Sequence, residues 1–241
     1  MAVRKLTFYT AKDQKKLIRQ FHQTMQAIRP LLVEKIGQTE AEFFLQDTHK
    51  TFIDEIMPEI PYIGGKSNPY TGYLQQTAMA LAVYRTVKKR DGTLEDAAEL
   101  IYKGMLALVG KMFKPFLLLY GWWTNSKYNY ARLRNEAKTS QLRRYPQDWV
   151  YEFVEGNPSK FDYGIDMHEC GILKYLQSQG AAELTPYLCA VDYITMHAMG
   201  IELRRTEIVV GGCKRCDFRF NLGGQPVKPG WPPPSLEKPC Q

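Results

Sequence analysis

The sequence predicts an α+β protein in which an N-terminal helical half is followed by an antiparallel β-β-α-α-β-β module. Three observations carry this expectation. Apolar residues recur at three- and four-residue steps through roughly the first 140 residues, the period of amphipathic helices. Alternation replaces that period after Tyr145-Pro146. The alternating segments then come as two pairs around a helical stretch, an order that suits one antiparallel sheet with helices beside it. The expected organisation is a helical region over 1–144, the α+β module over 145–223 and a proline-rich tail over 224–241, integrated as one domain.

The first helix is expected from Asp13 to Val33, where Leu17, Phe21, Met25, Ile28 and Leu32 line one face. A second, Thr39 to Met57, carries Phe43, Phe44, Phe52, Ile53 and Ile56 and stops at Pro58. The third runs from Thr71 to Lys89 and ends at Asp91-Gly92. Thr93 and Asp96 then resemble a capping box with the shorter acid. Two further helices are expected at Leu94–Val109 and Lys114–Leu142, with Gly121 as the expected break in the latter. Trp149 to Glu155 alternates, and Gly156-Asn157-Pro158 turns the chain into a second strand through Met167. Leu173 to Met199 reads as helical with a break at Gly180. Ile201 to Val210 is a third strand, and Cys216 to Leu222 a fourth after a Gly-Gly turn.

Composition narrows the function class. A net charge of +7 and a pI near 9.0 favour anionic partners. Lys127, Arg132, Arg134, Lys138, Arg143 and Arg144 crowd one stretch with Tyr128, Tyr130 and Tyr145 between them. Glu136 interrupts the run and no nucleic-acid motif accompanies it, so a solvated helix face is expected, with no nucleic-acid partner. The N-terminal segment lacks the apolar stretch of a signal peptide. The apolar run Phe116–Tyr120 is far shorter than the ~20 residues of a membrane span. A cytoplasmic protein with reduced thiols and no membrane partner is therefore expected. Trp122, Trp123 and Trp231 suit either the core or an interface between copies of the chain, which leaves a homo-oligomer open.

The reactive side chains concentrate between Glu169 and Asp217, which hold four of the five cysteines. Strand parity places Glu169 with Phe161, Tyr163, Ile165 and Met167, so it is expected at the edge of the core with a raised pKa, as a proton donor or base. Parity places Cys170 on the other face with His168. Helical spacing aligns Cys189, Asp192, Tyr193 and His197 on one stripe, which sets a thiol beside a possible base and polar groups near a ligand. Arg204 and Arg205 point to opposite faces of the third strand. An arginine in a pocket can hold a carboxylate in a two-pronged contact, and Arg205 is preferred because Glu207 shares its face, whereas Arg204 lies with Thr206 and Ile208. Asp217 and Arg219 share a face and could pair or contact substrate. Cys213 and Cys216 form a C-x-x-C pair, which His168 and Cys170 could complete as a metal site, although H-x-C is not a standard ligand spacing. No metal and no cofactor are expected.

Glu169-Cys170-Gly171, Glu183-Leu184 with Pro186, Cys189 with Asp192-Tyr193, Arg205-Thr206, Gly211-Gly212 and the closing CDFRF together resemble the L-2-amino-thiazoline-4-carboxylic acid hydrolase family. The stretch from Asn68 to Gly104 is similar to that family's helical half, so the likeness covers roughly residues 40–235. The closing strand is also similar to vinyl-4-reductase-type ligand-binding domains. The first resemblance implies hydrolytic opening of a small carboxylated cyclic amidine, a thiazoline, to a carbamoyl-cysteine. Under it, Cys170 or Cys189 is the nucleophile, or Asp192 activates water instead. Glu169 donates a proton or binds the amidinium, and Arg205 holds the substrate carboxylate. Tyr193, His197 and Asp217 join Arg205 in substrate binding. Two other readings compete: a non-catalytic small-molecule sensor, and a metal-binding protein using His168, Cys170, Cys213 and Cys216.

Overall fold

The computed structural model describes residues 9–157 and 159–233. The start of the N-terminal segment, Pro158 of the expected turn and residues 234–241 of the expected tail lie outside them. The described chain is α+β, and it divides into two compact units. One runs to Leu108 and takes in Tyr175–Leu184; the other comprises Val109–Lys174 and the chain from Thr185 onward.

The first unit is helical. α1 (Ala11–Ile36) starts at a capping box in which the Thr10 hydroxyl accepts the Asp13 N–H and the Asp13 carboxylate answers the Thr10 N–H. Its buried face is the predicted one: Leu17, Phe21, Met25, Ile28 and Leu32. α2 (Gln38–Thr51) is shorter than expected, because the chain widens into a π-turn at Phe52–Ile56 and tightens at Met57–Glu59. That adjustment keeps Phe52 and Ile56 fully buried, with Phe52 stacked on Phe21 at 4.2 Å between ring centres. α3 (Thr71–Lys89) and α4 (Leu94–Gly110) follow, joined by Asp91-Gly92 and by the expected Thr93–Asp96 cap. Gly104 of α4 lets α1 approach, since a Cβ there would lie 2.5 Å from Ile28 Cγ1. Tyr84 of α3 donates to Glu183, and Arg85 donates to Gln179, which ties Tyr175–Leu184 to the unit.

The second unit is built on a sheet with strand order β1-β2-β4-β3 among the described residues, every neighbouring pair antiparallel. β1 (Val150–Asn157) pairs with β2 (Phe161–Glu169), so Gly156-Asn157 belongs to the strand and not to the turn. α7 (Gly171–Ser178) and α8 (Thr185–Ala198) separate this hairpin from β3 (Glu202–Arg204) and β4 (Cys216–Asn221). The order β-β-α-α-β-β is the predicted one. Register sets Tyr163 opposite Phe220, Ile165 opposite Phe218 and Met167 opposite Cys216, so the apolar faces agree as parity required. Tyr163, Tyr193, Ile201, Leu203 and Phe220 form the core of this unit together with Tyr130.

Two expectations about elements are corrected. The stretch 114–142 is two helices, α5 (Lys114–Asn125) and α6 (Tyr130–Ser140), and the break falls at Ser126 rather than Gly121. Gly121 stays helical because its missing side chain lets α5 lie on Met199, whose Cβ an added Cβ would meet at 2.5 Å. Asn125 ends the helix by donating back to Gly121 O at 2.8 Å and accepting the Tyr163 hydroxyl. The third strand is three residues long, not ten. Beyond Arg204 the N–H groups of Thr206 and Glu207 donate to the Asp217 carboxylate at 2.7 and 2.6 Å, a side-chain anchor that accompanies the backbone bond from Asp217 N–H to Glu207 O.

The basic stretch is partly neutralised. Arg132 pairs with Glu136, Arg134 with both oxygens of Glu155, and Arg143 with Glu169.

Candidate functional site

Four of the predicted residues come together in the second unit. Cys170 immediately precedes α7, and its carbonyl accepts the Lys174 N–H at 3.0 Å, the first bond of that helix. The backbone N–H groups of Leu173 and Ile172 lie close enough to its sulfur to favour the thiolate. The thiol thus occupies the N-cap position, where orphan donors and the positive end of the helix favour a negative sulfur. Burial works the other way and dominates, pushing the thiol above its ordinary value, and Asp192 adds to the rise.

Cys189 stands on α8 within electrostatic reach of Cys170, Asp192, Arg205 and Cys216. Burial raises its thiol well above the ordinary value, and only Arg205 among these neighbours opposes the rise. Both Cys170 and Cys189 are free thiols.

Arg205 is the hinge of the arrangement. Its side chain is 1% exposed, and its Nη1 donates to Asp192 Oδ2 at 3.0 Å while Nη2 donates to the Cys189 carbonyl at 3.1 Å. The guanidinium lies over Phe218 at 4.7 Å and over Tyr193 at 5.6 Å. A buried cation is tolerable here because a carboxylate, a carbonyl and two aromatic faces replace its water. The expected clamp is therefore turned inward: Arg205 holds Asp192 and the α8 backbone. Asp192 itself is about a third exposed, the more accessible member of the pair.

The remaining predicted residues are placed elsewhere. Glu169 accepts from Lys174 and from Arg143, the latter at 2.8 Å. The Lys174 ammonium, then the Arg143 guanidinium, hold its carboxyl below the usual range, so the expected raised pKa is overturned. Strand parity had set it beside the core, but the two cations draw it into an ion-pair cluster. Asp217 accepts three bonds from Thr206 and Glu207, which fasten the segment that carries Arg205. Tyr193 is buried in the core, with its ring under Arg205. His197 is exposed in the last turn of α8.

The four residues of the metal reading are dispersed in their bonding. Cys213 is disulfide-bonded, which also corrects the expectation that the thiols are uniformly reduced. The Cys216 sulfur accepts the Val209 N–H at 3.2 Å, and His168 lies 3.7 Å from Glu152. Among the described residues no group of three or more His, Cys, Asp or Glu side chains is placed to hold a metal ion.

The cap at Cys170 lies ahead of Leu173, where the sequence predicts the helix to begin. A signal was present in Gly171. A Cβ there would meet Gln147 O at 2.5 Å and the Trp149 ring at 2.6 Å, so only glycine lets the chain pass from β2 into α7 at this point. Gly171→Ala is expected to cost about 2 kcal/mol of stability, since neither a backbone carbonyl nor a buried indole can retreat freely. Urea denaturation measures it, and an unchanged midpoint would contradict the close packing.

The family model for L-2-amino-thiazoline-4-carboxylic acid hydrolase matches residues 72–220, and the chain belongs to that family. The match takes in the Cys170 cap, Cys189, Asp192 and Arg205. No curated protein and no solved structure matches the chain.

Proposed function

We propose that the protein is a hydrolase that opens a small carboxylated cyclic amidine, of the 2-amino-thiazoline-4-carboxylate kind, to a carbamoyl-cysteine. The observation that carries this reading is the thiol of Cys170 on the N-terminal N–H groups of α7, beside a carboxylate that Arg205 holds in place. Membership in the family supports the reaction class.

The ring carbon between nitrogen and sulfur is the electrophile. Cys170 gives its proton to Asp192 as its sulfur bonds to that carbon, and the carbon–sulfur bond of the ring then breaks. The departing sulfur takes a proton and becomes the free thiol of the product chain. Water next adds to the same carbon with Asp192 as base, and the Cys170 sulfur leaves. The sum is one water consumed, one ring bond broken and one thiol released. The N–H groups of Leu173 and Ile172 stabilise the anionic sulfur both when it attacks and when it departs. Cys170 is preferred to Cys189 as nucleophile because it has these donors, whereas Cys189 is raised further by burial. Arg205 acts through Asp192, keeping it oriented toward the thiol.

Incubation of the purified chain with 2-amino-thiazoline-4-carboxylate is expected to release one free thiol per molecule of substrate consumed. A mass increase of one water in the product accompanies it. Binding of the acid without thiol release would instead establish a sensor, and neither binding nor turnover would remove the substrate class.

The pH dependence follows from the direction of the thiol shift. A thiol raised in the folded protein ionises later, so its reactive anion is scarcer at neutral pH. Alkylation of Cys170 by iodoacetamide is expected to keep accelerating above pH ~8.5, where an ordinary cysteine is half ionised. A plateau below that pH, measured in a chain lacking Cys189 and Cys216, would contradict the burial argument.

A further inference from the structure

We infer that α5 is a membrane-surface helix that seats on anionic lipid headgroups. The inference is independent of the reaction proposed above. α5 buries one narrow stripe, Leu117, Gly121 and Asn125, and leaves the rest of its circumference outside. That exposed part is apolar: Phe116 (57% exposed), Leu119 (64%) and Trp123 (54%) repeat at three- and four-residue steps, with Phe113, Trp122 and Tyr128 beside them. Single exposed apolar residues are ordinary, but a continuous run of this size marks a contact surface.

Charge and length decide the occupant. Lys111, Lys114 and Lys127 flank the helix at both ends, all exposed, and the chain has no acidic residue between Glu99 and Glu136. A second copy meeting this face across a two-fold axis would bring lysines against lysines with no carboxylate on the segment to relieve them. Anionic headgroups complement the same lysines, while tryptophan and tyrosine are at home at the depth where headgroups meet acyl chains. At a rise of ~1.5 Å per residue, α5 extends ~18 Å, short of the ~30 Å hydrocarbon core, so it lies in the plane of the surface. Among the described residues no single helix is long and apolar enough to cross a membrane. The expectation of no membrane partner rested on the missing span and does not bear on surface seating. Asn125 and Gly121 make the helix a firm attachment, through Tyr163 and Met199 of the same unit.

The test uses the full chain and vesicles of phosphatidylcholine with and without phosphatidylglycerol. Sedimentation is expected to show binding about 100-fold tighter to the anionic vesicles, as three lysines near such a surface provide. Tryptophan emission should shift to the blue and be quenched by brominated lipid. The triple variant Phe116→Ser, Leu119→Ser, Trp123→Ser should lose the binding with its circular dichroism intact. Lys111→Glu, Lys114→Glu, Lys127→Glu should lose the preference for anionic lipid. Equal binding by all three proteins, or no binding by the natural chain, overturns the inference. So does a concentration-dependent dimer that the serine variant abolishes, because the face would then belong to a second copy.

Discussion

Cys170→Ala is expected to lower turnover of the cyclic amidine by about three orders of magnitude, the scale seen when a covalent nucleophile is removed. The folded state should lose only about 1 kcal/mol, the usual worth of a helix N-cap, far less than the loss in turnover. Cys170→Ser separates the roles further. Its hydroxyl should cap α7 at least as well as the thiol, yet it is a far weaker nucleophile at neutral pH. Stability at or above that of the natural chain with turnover still lost would assign the sulfur to chemistry. Cys189→Ala is the control: it leaves the α7 donors in place and should retain most of the activity. The opposite ranking, with Cys189 essential and Cys170 dispensable, would move the nucleophile to α8. A slow substrate should leave an adduct on Cys170 visible by mass spectrometry, and the thiol of the opened ring should appear in a burst before steady state.

The second large effect concerns the Arg205–Asp192 pair. Removing one member of a buried pair strands the other, and the two members are unequally buried. Arg205 is almost fully enclosed, so Asp192→Ala leaves a cation without its carboxylate and should cost about 3 kcal/mol. Arg205→Met leaves a carboxylate that solvent already reaches, and should cost less, about 2 kcal/mol, part of it from the lost contacts with Tyr193 and Phe218. The double variant Asp192→Leu, Arg205→Met should recover much of the loss, because well-packed apolar side chains need no desolvation. All three should be inactive under the proposed scheme. Urea denaturation gives the stabilities. If Arg205→Met proves the most damaging and the double variant is no better, the guanidinium stabilises the fold by packing and not by serving Asp192.

The candidate site was half legible in the sequence. Cys189 and Asp192 stand three residues apart on a helix, and that spacing alone places them on one face of α8. Parity set Arg204 and Arg205 on opposite faces, and Glu207 on the second face favoured Arg205; Arg204 is exposed and paired with Glu202. Glu169 shows where parity stops. It assigns a side chain to a face but says nothing of the cations that meet it, Lys174 first and then Arg143, which the fold brings within 2.8 Å. The direction of the Glu169 shift therefore reversed. The clamp expected of Arg205 fails for the same reason: the sequence shows its type, whereas its partners lie on α8 and β4.

Glycine marks some real breaks and one false one, Gly121, which stays inside α5. Asp91-Gly92 and Gly180 lie at real boundaries. Ser126 carries no such mark, because Asn125 and its bond to Tyr163 of β2 end α5. The shortness of β3 likewise depends on Asp217 of β4, whose carboxylate takes the N–H groups of Thr206 and Glu207 just past the strand.

Local periodicity by itself determined the α+β class, the order of the elements and the apolar faces of β2 and β4, because each rests on the 3.6- and 2-residue repeats of the backbone. The tertiary structure decided which polar groups meet. It set the Cys170 sulfur on the N–H groups of α7, turned Arg205 inward to Asp192 and left the aromatic face of α5 outside. Those outcomes depend on distances between segments remote in the chain, and on whether water or a neighbouring side chain ends up against each charge. No local repeat encodes either.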